Sequence, residues 1–494
     1  MSEQAASNAH GQVAERAYDV VVIGAGPVGE NVADRAVQGG LSAVVVEGEL
    51  VGGECSYWAC MPSKALLRSG EARRAALAVA GATEAVTGGL DVAAVLARRD
   101  SFVSDWDDDG QVTWLESAGI DLVRGHGRLA GDRRVVVSAD DGEQILVARH
   151  AVAVCTGSRA MVPDIPGLRD ARPWTSREAT AVRDVPASLV VVGGGVVACE
   201  MATALSDLGS EVTMLVRGGL LGGYEPFAAE LVADSLTGRG VTVRRGVEAV
   251  RVDRDADGVR VLCDDDTEVR AAEILVATGR ESRNDDIGLD TVGLARAADG
   301  PGWLAVDETL RVLDTDGGPV DWLYAVGDAN HRSPLTHQGK YQARAAGDVI
   351  VARAAGRAPD DAPWGAHVAT ADHAAAPQVV FADPQVAAVG LTAGAAENAG
   401  YRTRVVELDL GSVAGSALHA DGYQGRASMV VDEEHRVLLG VTFVGPDVAE
   451  MLHAATIAVV GEVPIDRLWH AVPAYPTMSE VWLRLLEDYG RPTR

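Results

Sequence analysis

Two segments of the chain share one pattern, in which an apolar β-branched run leads through a glycine-rich turn into a helix. The first run covers 18–23 and ends in Gly24, Gly26 and Gly29 with GxGxxG spacing. A second apolar strand follows and ends in Glu47. In such a βαβ unit the first glycine permits a tight turn, the second lets the backbone approach a pyrophosphate, and the third packs the helix on the strand. The pattern predicts a dinucleotide site in which Glu47 accepts ribose hydroxyls.

The second segment begins with the apolar run 189–192 and turns through Gly193, Gly195 and Ala198. A helix pattern and another strand follow it. Because the strand, turn and helix occur in the same order as in the first segment, we expect a second dinucleotide-binding unit. The chain is therefore predicted to be an α/β protein with two Rossmann-like domains.

The two sites differ at the end of the second strand. The residue that corresponds to Glu47 is Val216, and Arg217 follows it. An apolar residue there removes the hydroxyl acceptor, while a guanidinium suits a 2′-phosphate. The second site is expected to prefer NADPH, with NADH possible. Arg217 as an ordinary surface arginine is the alternative.

Composition limits the classes of protein that need to be considered. The 494 residues suggest about three domains. The net charge of −28 argues against nucleic acid and anionic membranes as partners, since both need a basic face. The longest apolar run, 189–205, is broken by glycines and a glutamate and is not a membrane span. With no apolar leader in the first sixteen residues, we expect a cytoplasmic protein.

A second constraint is the segment 52–64, which reads Gly-Gly-Glu-Cys-Ser-Tyr-Trp-Ala-Cys-Met-Pro-Ser-Lys. Cys55 and Cys60 flank four residues, directly after Gly53. A loop this short can close as a strained and readily reduced disulfide. A pair of buried core cysteines is the alternative. The segment follows the strand that ends in Glu47, which places it near the carboxyl ends of the strands, where ligands bind in doubly wound sheets.

Three further strand ends carry small or acidic residues that suit a cofactor. Two of these strands end in Thr-Gly, and the third ends in Gly-Asp, whose carboxylate can hold a ribityl or ribose hydroxyl. The residues are Thr156 and Gly157, Gly279, and Gly327 with Asp328. The remaining cysteines are expected to pack in the core, and no metal site is predicted; they are Cys155, Cys199 and Cys263.

The order of these motifs resembles the class I pyridine nucleotide-disulfide oxidoreductases, which include glutathione reductase, dihydrolipoamide dehydrogenase and mercuric reductase. The resemblance runs from about Asp19 to Glu480. Its most specific element is GGxCxxxxCxPSK, met by 52–64. The Gly-Asp motif at 327–328 and the stretch 445–451, which is similar to the family's dimerisation domain, are the others.

The resemblance implies FAD in the first site and a homodimer. It implies that Cys60 lies nearer the flavin, in charge-transfer contact, and that Cys55 exchanges with substrate. It also implies that Lys64 sits by flavin N5, paired with Glu200. A cation there would stabilise the negative charge of the reduced flavin.

The end of the chain departs from the family pattern. Disulfide reductases of the family have His-Pro-Thr with a glutamate four residues after the proline, and the histidine serves the partner subunit as acid and base. Here Tyr475 takes the histidine's place, and Glu480 is retained. A phenol is a poor base near neutral pH. His470 is either a substitute for that histidine or a structural residue. Tyr475 and Glu480 are both expected to act across the dimer interface.

Two more departures lie near the expected site. Tyr57 and Trp58 stand between the cysteines, where the family has small residues and Asn, and they either shape the substrate mouth or pack. Val196 replaces an aromatic residue that often gates the nicotinamide pocket.

The favoured function is an FAD-dependent oxidoreductase that passes a hydride from NADPH through FAD to the Cys55–Cys60 disulfide, and on to a small or protein disulfide. The alternatives are reduction of a metal ion, quinone or other electron acceptor, dihydrolipoamide dehydrogenase-like activity, and a redox sensor read by another protein. The predicted domains are a disordered tail at 1–16, a flavin domain at 17–180 continued at 281–370, a nicotinamide domain at 181–280 and an α+β dimerisation domain at 371–494.

Overall fold

A computed structural model describes residues 14–140, 142–294 and 302–491 of the chain. In chain order the strands are β1 (Ala14–Ile23), β2 (Ala43–Glu47), β3 (Asp121–Arg124), β4 (His126–Leu129), β5 (Arg134–Ala139), β6 (Gly142–Val154), β7 (Ser158–Ala160), β8 (Ser188–Val192), β9 (Glu211–Val216), β10 (Thr242–Arg245), β11 (Ala249–Asp255), β12 (Gly258–Cys263), β13 (Glu268–Ala271), β14 (Glu273–Val276), β15 (Arg280–Ser282), β16 (Arg311–Leu313), β17 (Pro319–Ala325), β18 (Gln378–Val380), β19 (Gln385–Gly390), β20 (Thr403–Asp409), β21 (Arg426–Asp432) and β22 (Val437–Gly445).

The α-helices connect and cover these strands. They are α1 (Pro27–Gln38), α2 (Gly53–Tyr57), α3 (Cys60–Leu77), α4 (Val92–Phe102), α5 (Asp109–Ser117), α6 (Ser176–Thr180), α7 (Val196–Asp207), α8 (Pro226–Gly238), α9 (Thr336–Ala354), α10 (Ala371–Ala374), α11 (Ala393–Asn398), α12 (Ala414–His419), α13 (Leu452–Val460), α14 (Ile465–Leu468) and α15 (Val481–Tyr489). Short 3₁₀ turns include Gly327–Asn330, Val448–Met451 and Met478–Glu480.

The first of two compact units consists of the described residues of Met1–Gly53, Asp107–Arg159 and Ser282–Thr370. Its sheet has the order β16-β17-β6-β1-β2-β3, with β17, β6, β1, β2 and β3 parallel and β16 antiparallel at one edge. Where β1, β2 and β6 lie side by side, at 20–23, 43–46 and 151–154, the residues are Val, Ile and Ala with almost no exposure, as expected for a parallel sheet covered on both faces. In this order the chain starts at the central strand β1 and adds strands on both sides of it, which is a doubly wound arrangement.

The second unit consists of Glu54–Trp106, Ala160–Glu281 and the described residues of Ala371–Arg494. It contains three sheets. One is parallel, with the order β10-β9-β8-β14. The β11-β12-β13 sheet is antiparallel, and so is the β18-β19-β22-β21-β20 sheet near the end of the chain. Two parallel sheets, each with a glycine turn after a central strand, and a separate α+β sheet confirm the predicted fold class.

The two units divide the chain differently from the predicted domains. The predicted flavin segment 17–180 includes 54–106 and 160–180, which belong to the second unit. The physical reason is a shared core, because Leu66 and Leu67 of α3 pack in one buried cluster with Ala198 and Met201 of α7. Cys55, Cys60 and Lys64 therefore belong to the same unit as the second glycine turn.

Three local predictions also differ from the structure. The predicted tail lies outside the described residues up to residue 13, while residues 14–16 begin β1 rather than continuing a tail. The predicted helical stretch 71–120 is divided among α3, α4 and α5 with turns between them. The predicted linker 357–377 includes the short helix α10.

Candidate active site

The first glycine turn lies where β1 ends and α1 begins. Gly24 has φ +101°, and a Cβ there would overlap the carbonyl oxygen of Cys155. A Cβ at Gly29 would overlap the Gly24 carbonyl oxygen. The turn thus excludes side chains at both positions. Gly26 is the N-cap of α1, and no side chain caps this end of the helix.

Glu47 is the last residue of β2 and lies beside that turn. Its Oε2 accepts a hydrogen bond from the Ala25 N–H at 2.8 Å, and its Oε1 accepts one from the Glu49 N–H at 2.8 Å. The carboxylate is therefore fixed in orientation by backbone donors, at the position where a ribose hydroxyl is bound in this type of fold.

The ends of β6 and β17 bring the remaining predicted residues to the same edge of the sheet. Thr156 Oγ1 donates to Asn284 Oδ1 at 2.5 Å, and Ser158 Oγ donates to Asp328 Oδ2 at 2.5 Å. Asn284 is fully buried and donates to the carbonyls of Gly302 and Ala329. Gly157 and Gly327 both have positive φ in these turns. Sequence reasoning missed Ser158 and Asn284, and the polar stretch 280–286 is the signal that could have drawn attention to Asn284.

These residues fit a flavin dinucleotide. A Cβ on Gly53 would come to 2.9 Å from the Cα of Gly26, so the two glycines leave bare backbone beside the uncapped N-terminus of α1. Helix N-termini with exposed N–H groups bind phosphates, and carboxylates at strand ends bind hydroxyls. Gly24, Gly26 and Glu47 would hold the adenosine diphosphate portion of the flavin dinucleotide. Asp328 would hold a hydroxyl of its ribityl chain.

The second glycine turn borders a cavity of about 540 Å³. Gly193 has φ +132°, and a Cβ there would overlap the Ala277 carbonyl oxygen, whereas a Cβ on Gly195 would meet open space. Ala198 is fully buried in α7. Further lining residues include Val196, Val216, Arg217, Thr278 and Gly279. The cavity is concave, partly apolar and open at a helix N-terminus, as a nicotinamide dinucleotide requires.

Val216 and Arg217 stand at the end of β9 in that cavity. Val216 is buried, and Arg217 is exposed. Within the described part of the chain, no carboxylate pairs with the Arg217 guanidinium. Its charge is therefore available to an anionic ligand.

The two cysteines of the redox segment lie on consecutive short and long helices. Cys55 is in α2 and Cys60 is the first residue of α3, and both are half-buried. No side chain caps the N-terminus of α3, whose N-cap is Ala59. The positive end of the helix dipole favours a thiolate at Cys60. Cys155, Cys199 and Cys263 are buried, and burial, followed by the charge of Glu200, raises the pKa of the Cys199 thiol to about 12, which suits packing rather than chemistry.

The predicted ion pair between Lys64 and Glu200 is present. Lys64 Nζ lies 2.8 Å from Glu200 Oε2 and 3.0 Å from Oε1. The buried Glu200 carboxylate also accepts from the Phe381 N–H at 3.0 Å and from Ser63 Oγ at 3.3 Å. Lys64 Nζ is 4.9 Å from the centre of the Phe381 ring. The Glu200 carboxylate thus fixes the position of the Lys64 ammonium group. Lys64 lies one helical turn after Cys60 in α3. Ser63 lies within the 52–64 motif, whereas nothing in the sequence pattern pointed to Phe381.

The C-terminal motif is largely exposed. Tyr475 is 76% exposed and is joined to Pro476 by a cis peptide bond, and His470 is also exposed. Glu480 is buried, and its Oε1 accepts from Arg484 Nη2 at 2.7 Å. Its Oε2 has no hydrogen-bond partner among the residues that the structure describes. The exposed surface of this region includes Leu418, Ile457, Val460 and Val472.

Comparison with known families decides the class of protein. The family model described as "Pyridine nucleotide-disulphide oxidoreductase" matches residues 18–347. The model of that family's dimerisation domain matches residues 376–485. The chain belongs to the pyridine nucleotide-disulphide oxidoreductase family. Members of this family are FAD-dependent oxidoreductases that use NAD(P)H.

Curated members of the family resemble the chain along most of its length. A mercuric reductase of Shigella flexneri is 31% identical over 471 residues, which cover 94% of this chain and 79% of that protein. A dihydrolipoyl dehydrogenase of Haloferax volcanii is 31% identical over 486 residues, covering 95% of this chain and 96% of that protein. Equal identity to the two does not separate the two activities.

Two solved structures share the fold. The Cu(II) complex of the HOCl-induced flavoprotein disulfide reductase RclA from Escherichia coli has a TM-score of 0.81 at 21% identity, covering 96% of this chain and 99% of that one. LpdA from Mycobacterium tuberculosis has a TM-score of 0.79 at 23% identity, covering 97% and 100%.

Two features are absent from the described residues. Across residues 14–140, 142–294 and 302–491, no helix has the length and apolar character needed to cross a membrane. Nor does this part of the chain contain a cluster of three or more His, Cys, Asp or Glu side chains placed to hold a metal ion.

Proposed function

We propose that this family member is a cytoplasmic NADPH-dependent reductase that uses Cys55 and Cys60 as a redox disulfide to reduce a disulfide substrate. The observation that carries the proposal is the arrangement around α3. A cysteine at the start of the helix is followed one turn later by Lys64, which a buried Glu200 fixes in place. Bound FAD would supply two-electron transfer between the nicotinamide and the cysteine pair.

Cys55 and Cys60 then have different roles in the thiol chemistry. Reduction of the Cys55–Cys60 bond takes two electrons and two protons and gives two thiols. The Cys55 thiolate attacks one sulfur of the substrate disulfide and releases the first substrate thiol. The Cys60 thiolate, favoured by the dipole of α3, next attacks Cys55 Sγ, which closes the protein disulfide and releases the second thiol.

The choice of NADPH rests on the second glycine turn. A buried Val216 offers no acceptor for a ribose 2′-hydroxyl, and the exposed Arg217 offers a cation for a 2′-phosphate. Both residues border the cavity that would hold the nucleotide.

A second candidate is reduction of a metal ion, quinone or other electron acceptor that needs no thiol base. Tyr475 favours it, because a phenol does not exchange protons with thiols near neutral pH as an imidazole does. A similar protein, from Shigella flexneri, is named a mercuric reductase. Dihydrolipoamide dehydrogenase-like activity is the third, supported by the Haloferax volcanii protein.

The test is turnover with NADPH and a panel of acceptors, comprising small disulfides, oxidised lipoamide, quinones, Hg(II) and Cu(II). The proposal expects disulfide turnover that Cys55→Ser and Cys60→Ser each abolish. Turnover of metal ions or quinones alone would favour the second candidate. Disulfide turnover that survives Cys60→Ser would contradict the mechanism.

We further propose a homodimer in which Tyr475 and Glu480 act across the interface. The match to the dimerisation domain, the exposure of Tyr475 and the unpartnered Oε2 of Glu480 within the described residues support it. Light scattering should give twice the chain mass. Tyr475→His is expected to increase disulfide turnover, and an unchanged rate would mean that another group supplies the proton.

A further inference from the structure

A second group of charges lies farther along the two helices that carry Lys64 and Glu200. It consists of two arginines and two aspartates, which we call the four-charge cluster: Arg74 in α3, Asp207 at the end of α7, Arg239 directly after α8 and Asp383 shortly after β18. Each arginine forms ion pairs with both aspartates. The four side chains are between 15% and 25% exposed, so water and salt screen these ion pairs only in part.

The cluster joins α3 to α7 a second time. Lys64 of α3 binds Glu200 of α7. About two helical turns after Glu200, Asp207 binds Arg74, which lies about three turns after Lys64. Two ion pairs at separate points along the helices fix both the distance between α3 and α7 and their register, which one pair alone would leave adjustable.

A third segment, residues 381–383, is attached at the same two places. The Phe381 N–H donates to the Glu200 carboxylate at 3.0 Å, and the Phe381 ring centre lies 4.9 Å from Lys64 Nζ. Two residues later, Asp383 contacts both arginines of the cluster, and its carbonyl accepts from Arg239 Nη2 at 3.1 Å. The segment is therefore bound to the Glu200 carboxylate at one end and to the cluster at the other.

The approach of α7 to α3 at the cluster depends on Gly70. A Cβ on this glycine would overlap Asp207 Oδ2. Gly70 is buried inside α3, and glycine inside a helix is less favourable than alanine. The missing side chain thus lowers the intrinsic stability of α3 and lets Asp207 reach Arg74.

The contact between Lys64 and Glu200 is sensitive to a movement of either helix. Lys64 Nζ and Glu200 Oε2 are 2.8 Å apart, and a charge-assisted hydrogen bond of this length weakens when its atoms separate. The Glu200 side chain is only 4% exposed, so the packing around it leaves few other rotamers. The distance between the two charged groups is therefore set mainly by the positions of α3 and α7.

We propose that the four-charge cluster is a positioning device that keeps Glu200 in contact with Lys64 by fixing α7 and residues 381–383 against α3. The inference rests on the proposed function in one respect, because it takes Lys64 as the cation that serves the redox chemistry. Arg74 and Asp383 act on Lys64 through Glu200, which makes them positioning residues.

The composition of the chain makes this contact measurable, because Lys64 and Lys340 are its only two lysines. The purified holoenzyme is treated with the N-hydroxysuccinimide ester of acetate. The lysine amine attacks the acyl carbon, an amide bond forms, and N-hydroxysuccinimide and a proton are released. Peptide mass spectrometry follows the two lysines, with Lys340 of the first unit as internal reference. Because Lys64 must leave Glu200 to react, the ratio of the Lys64 rate to the Lys340 rate reports on their contact.

Removing one charge of the cluster should make Lys64 more reactive. In Arg74→Met and in Asp383→Asn we expect the rate ratio to rise about tenfold, because Glu200 no longer holds the ammonium group in one place. Gly70→Ala leaves every charge present but displaces Asp207, and it should raise the ratio as well. Arg74→Lys keeps the positive charge and should restore most of the original ratio, the added lysine being distinguished by fragment masses.

Control variants calibrate the ratio and separate it from general effects of substitution. Glu200→Gln removes the direct partner of Lys64 and sets the upper limit of the ratio. Gly394→Ala adds a Cβ in α11 that meets open space. Arg251→Met removes an exposed arginine paired with Asp253. The last two variants should keep the ratio of the unsubstituted protein.

Three results would overturn the inference. The first is an unchanged ratio in either Arg74→Met or Asp383→Asn, and the second is an Arg74→Lys protein as reactive at Lys64 as Arg74→Met. The third is an unchanged ratio in Glu200→Gln, because the ratio would then not depend on the contact that the cluster is inferred to fix. The proposed function fails separately, since full disulfide turnover with NADPH in Lys64→Met would remove Lys64 from the redox chemistry whatever the acetylation ratios.

Discussion

The two glycine turns of the molecule have the same strand, turn and helix, yet they differ at the positions that matter most for ligand and packing. In the first turn the helix meets the strand at Gly29 and the next strand ends in Glu47. In the second, the corresponding residues are Ala198 and Val216. The first turn therefore packs helix against strand without a side chain and presents an acid. The second accepts a methyl group and presents a neutral edge beside an arginine.

The difference continues one residue further along each helix. Glu30 follows Gly29, whereas Cys199 follows Ala198, and both side chains are at least nine-tenths buried. The first turn buries an ionisable carboxyl group that titrates near neutral pH, and the second buries a thiol that stays neutral there. The same motif thus surrounds two different sets of buried groups, and we expect the two turns to respond differently to pH.

The largest effect is expected from Gly29→Ala. The added Cβ would overlap the Gly24 carbonyl oxygen, so the helix must move away from the strand, and we expect a loss of about 3 kcal/mol or more in the free energy of unfolding together with loss of bound flavin. Denaturant unfolding and flavin absorbance after gel filtration measure both. Gly195→Ala, whose Cβ meets open space, is the matched control and should retain its flavin. A stable, flavin-loaded Gly29→Ala protein would mean that the first turn is not packed as described.

The next effect concerns pH and belongs to the first turn. Burial, opposed by Lys340 and reinforced by Glu47, raises the pKa of Glu30 from 4.5 to about 7, and Glu30 Oε1 has no hydrogen-bond partner among the described residues. Between pH 4.5 and about 7, the unfolded chain loses the Glu30 proton while the folded chain keeps it. The contribution of Glu30 to the free energy of unfolding therefore falls as pH rises through this range, and it is constant above about pH 7.

Glu30→Gln should remove that dependence. Below about pH 4.5 the two proteins should differ little in this contribution, and by pH 7 to 8 the variant should gain up to about 3 kcal/mol relative to the unsubstituted protein. Thermal unfolding at several pH values gives the difference. Parallel stability curves for the two proteins across this range would refute the assignment.

The features that could be predicted from the sequence are those encoded in short, contiguous patterns. Gly24, Gly193 and the acid at the end of β2 follow from spacing, because a tight turn at a strand end leaves few alternatives. Lys64 and Glu200 could be paired only through the family resemblance, since 136 residues separate them. Those predictions cover the two glycine turns and the charged pair.

The contacts that could not be predicted join segments distant in the chain and carry no local signature. Arg177 meets Glu54 across 123 residues, and the Phe381 N–H meets Glu200 across 181. An arginine on a short helix after a capping box is indistinguishable in the sequence from any surface arginine. For the same reason the sequence does not distinguish a Trp58 that shapes the substrate mouth from one that packs, and the contact of Trp58 with Arg177 is visible only in three dimensions.

A smaller effect is expected at the edge of the second turn. Arg217→Ala should raise the KM for NADPH by about tenfold, because one charge-assisted contact to a 2′-phosphate contributes roughly 1.5 kcal/mol, while the KM for NADH should change little. Steady-state kinetics with both nucleotides measure the ratio. Gly29 and Glu47 lie in the other turn, so the flavin content should stay the same. An equal rise for both nucleotides would leave Arg217 as an ordinary surface arginine.

The smallest effect tests whether the second turn truly tolerates its methyl group. Ala198→Gly recreates the glycine of the first turn, but α7 already accommodates the fully buried Ala198 side chain. Glycine in a helix costs roughly 1 kcal/mol relative to alanine, and the lost buried methyl adds a similar amount, so we expect a decrease of about 1 to 2 kcal/mol in unfolding free energy with NADPH binding retained. Denaturant unfolding and nucleotide titration measure these. An increase in stability would show that Ala198 is strained and that the two turns are packed more alike than their sequences indicate.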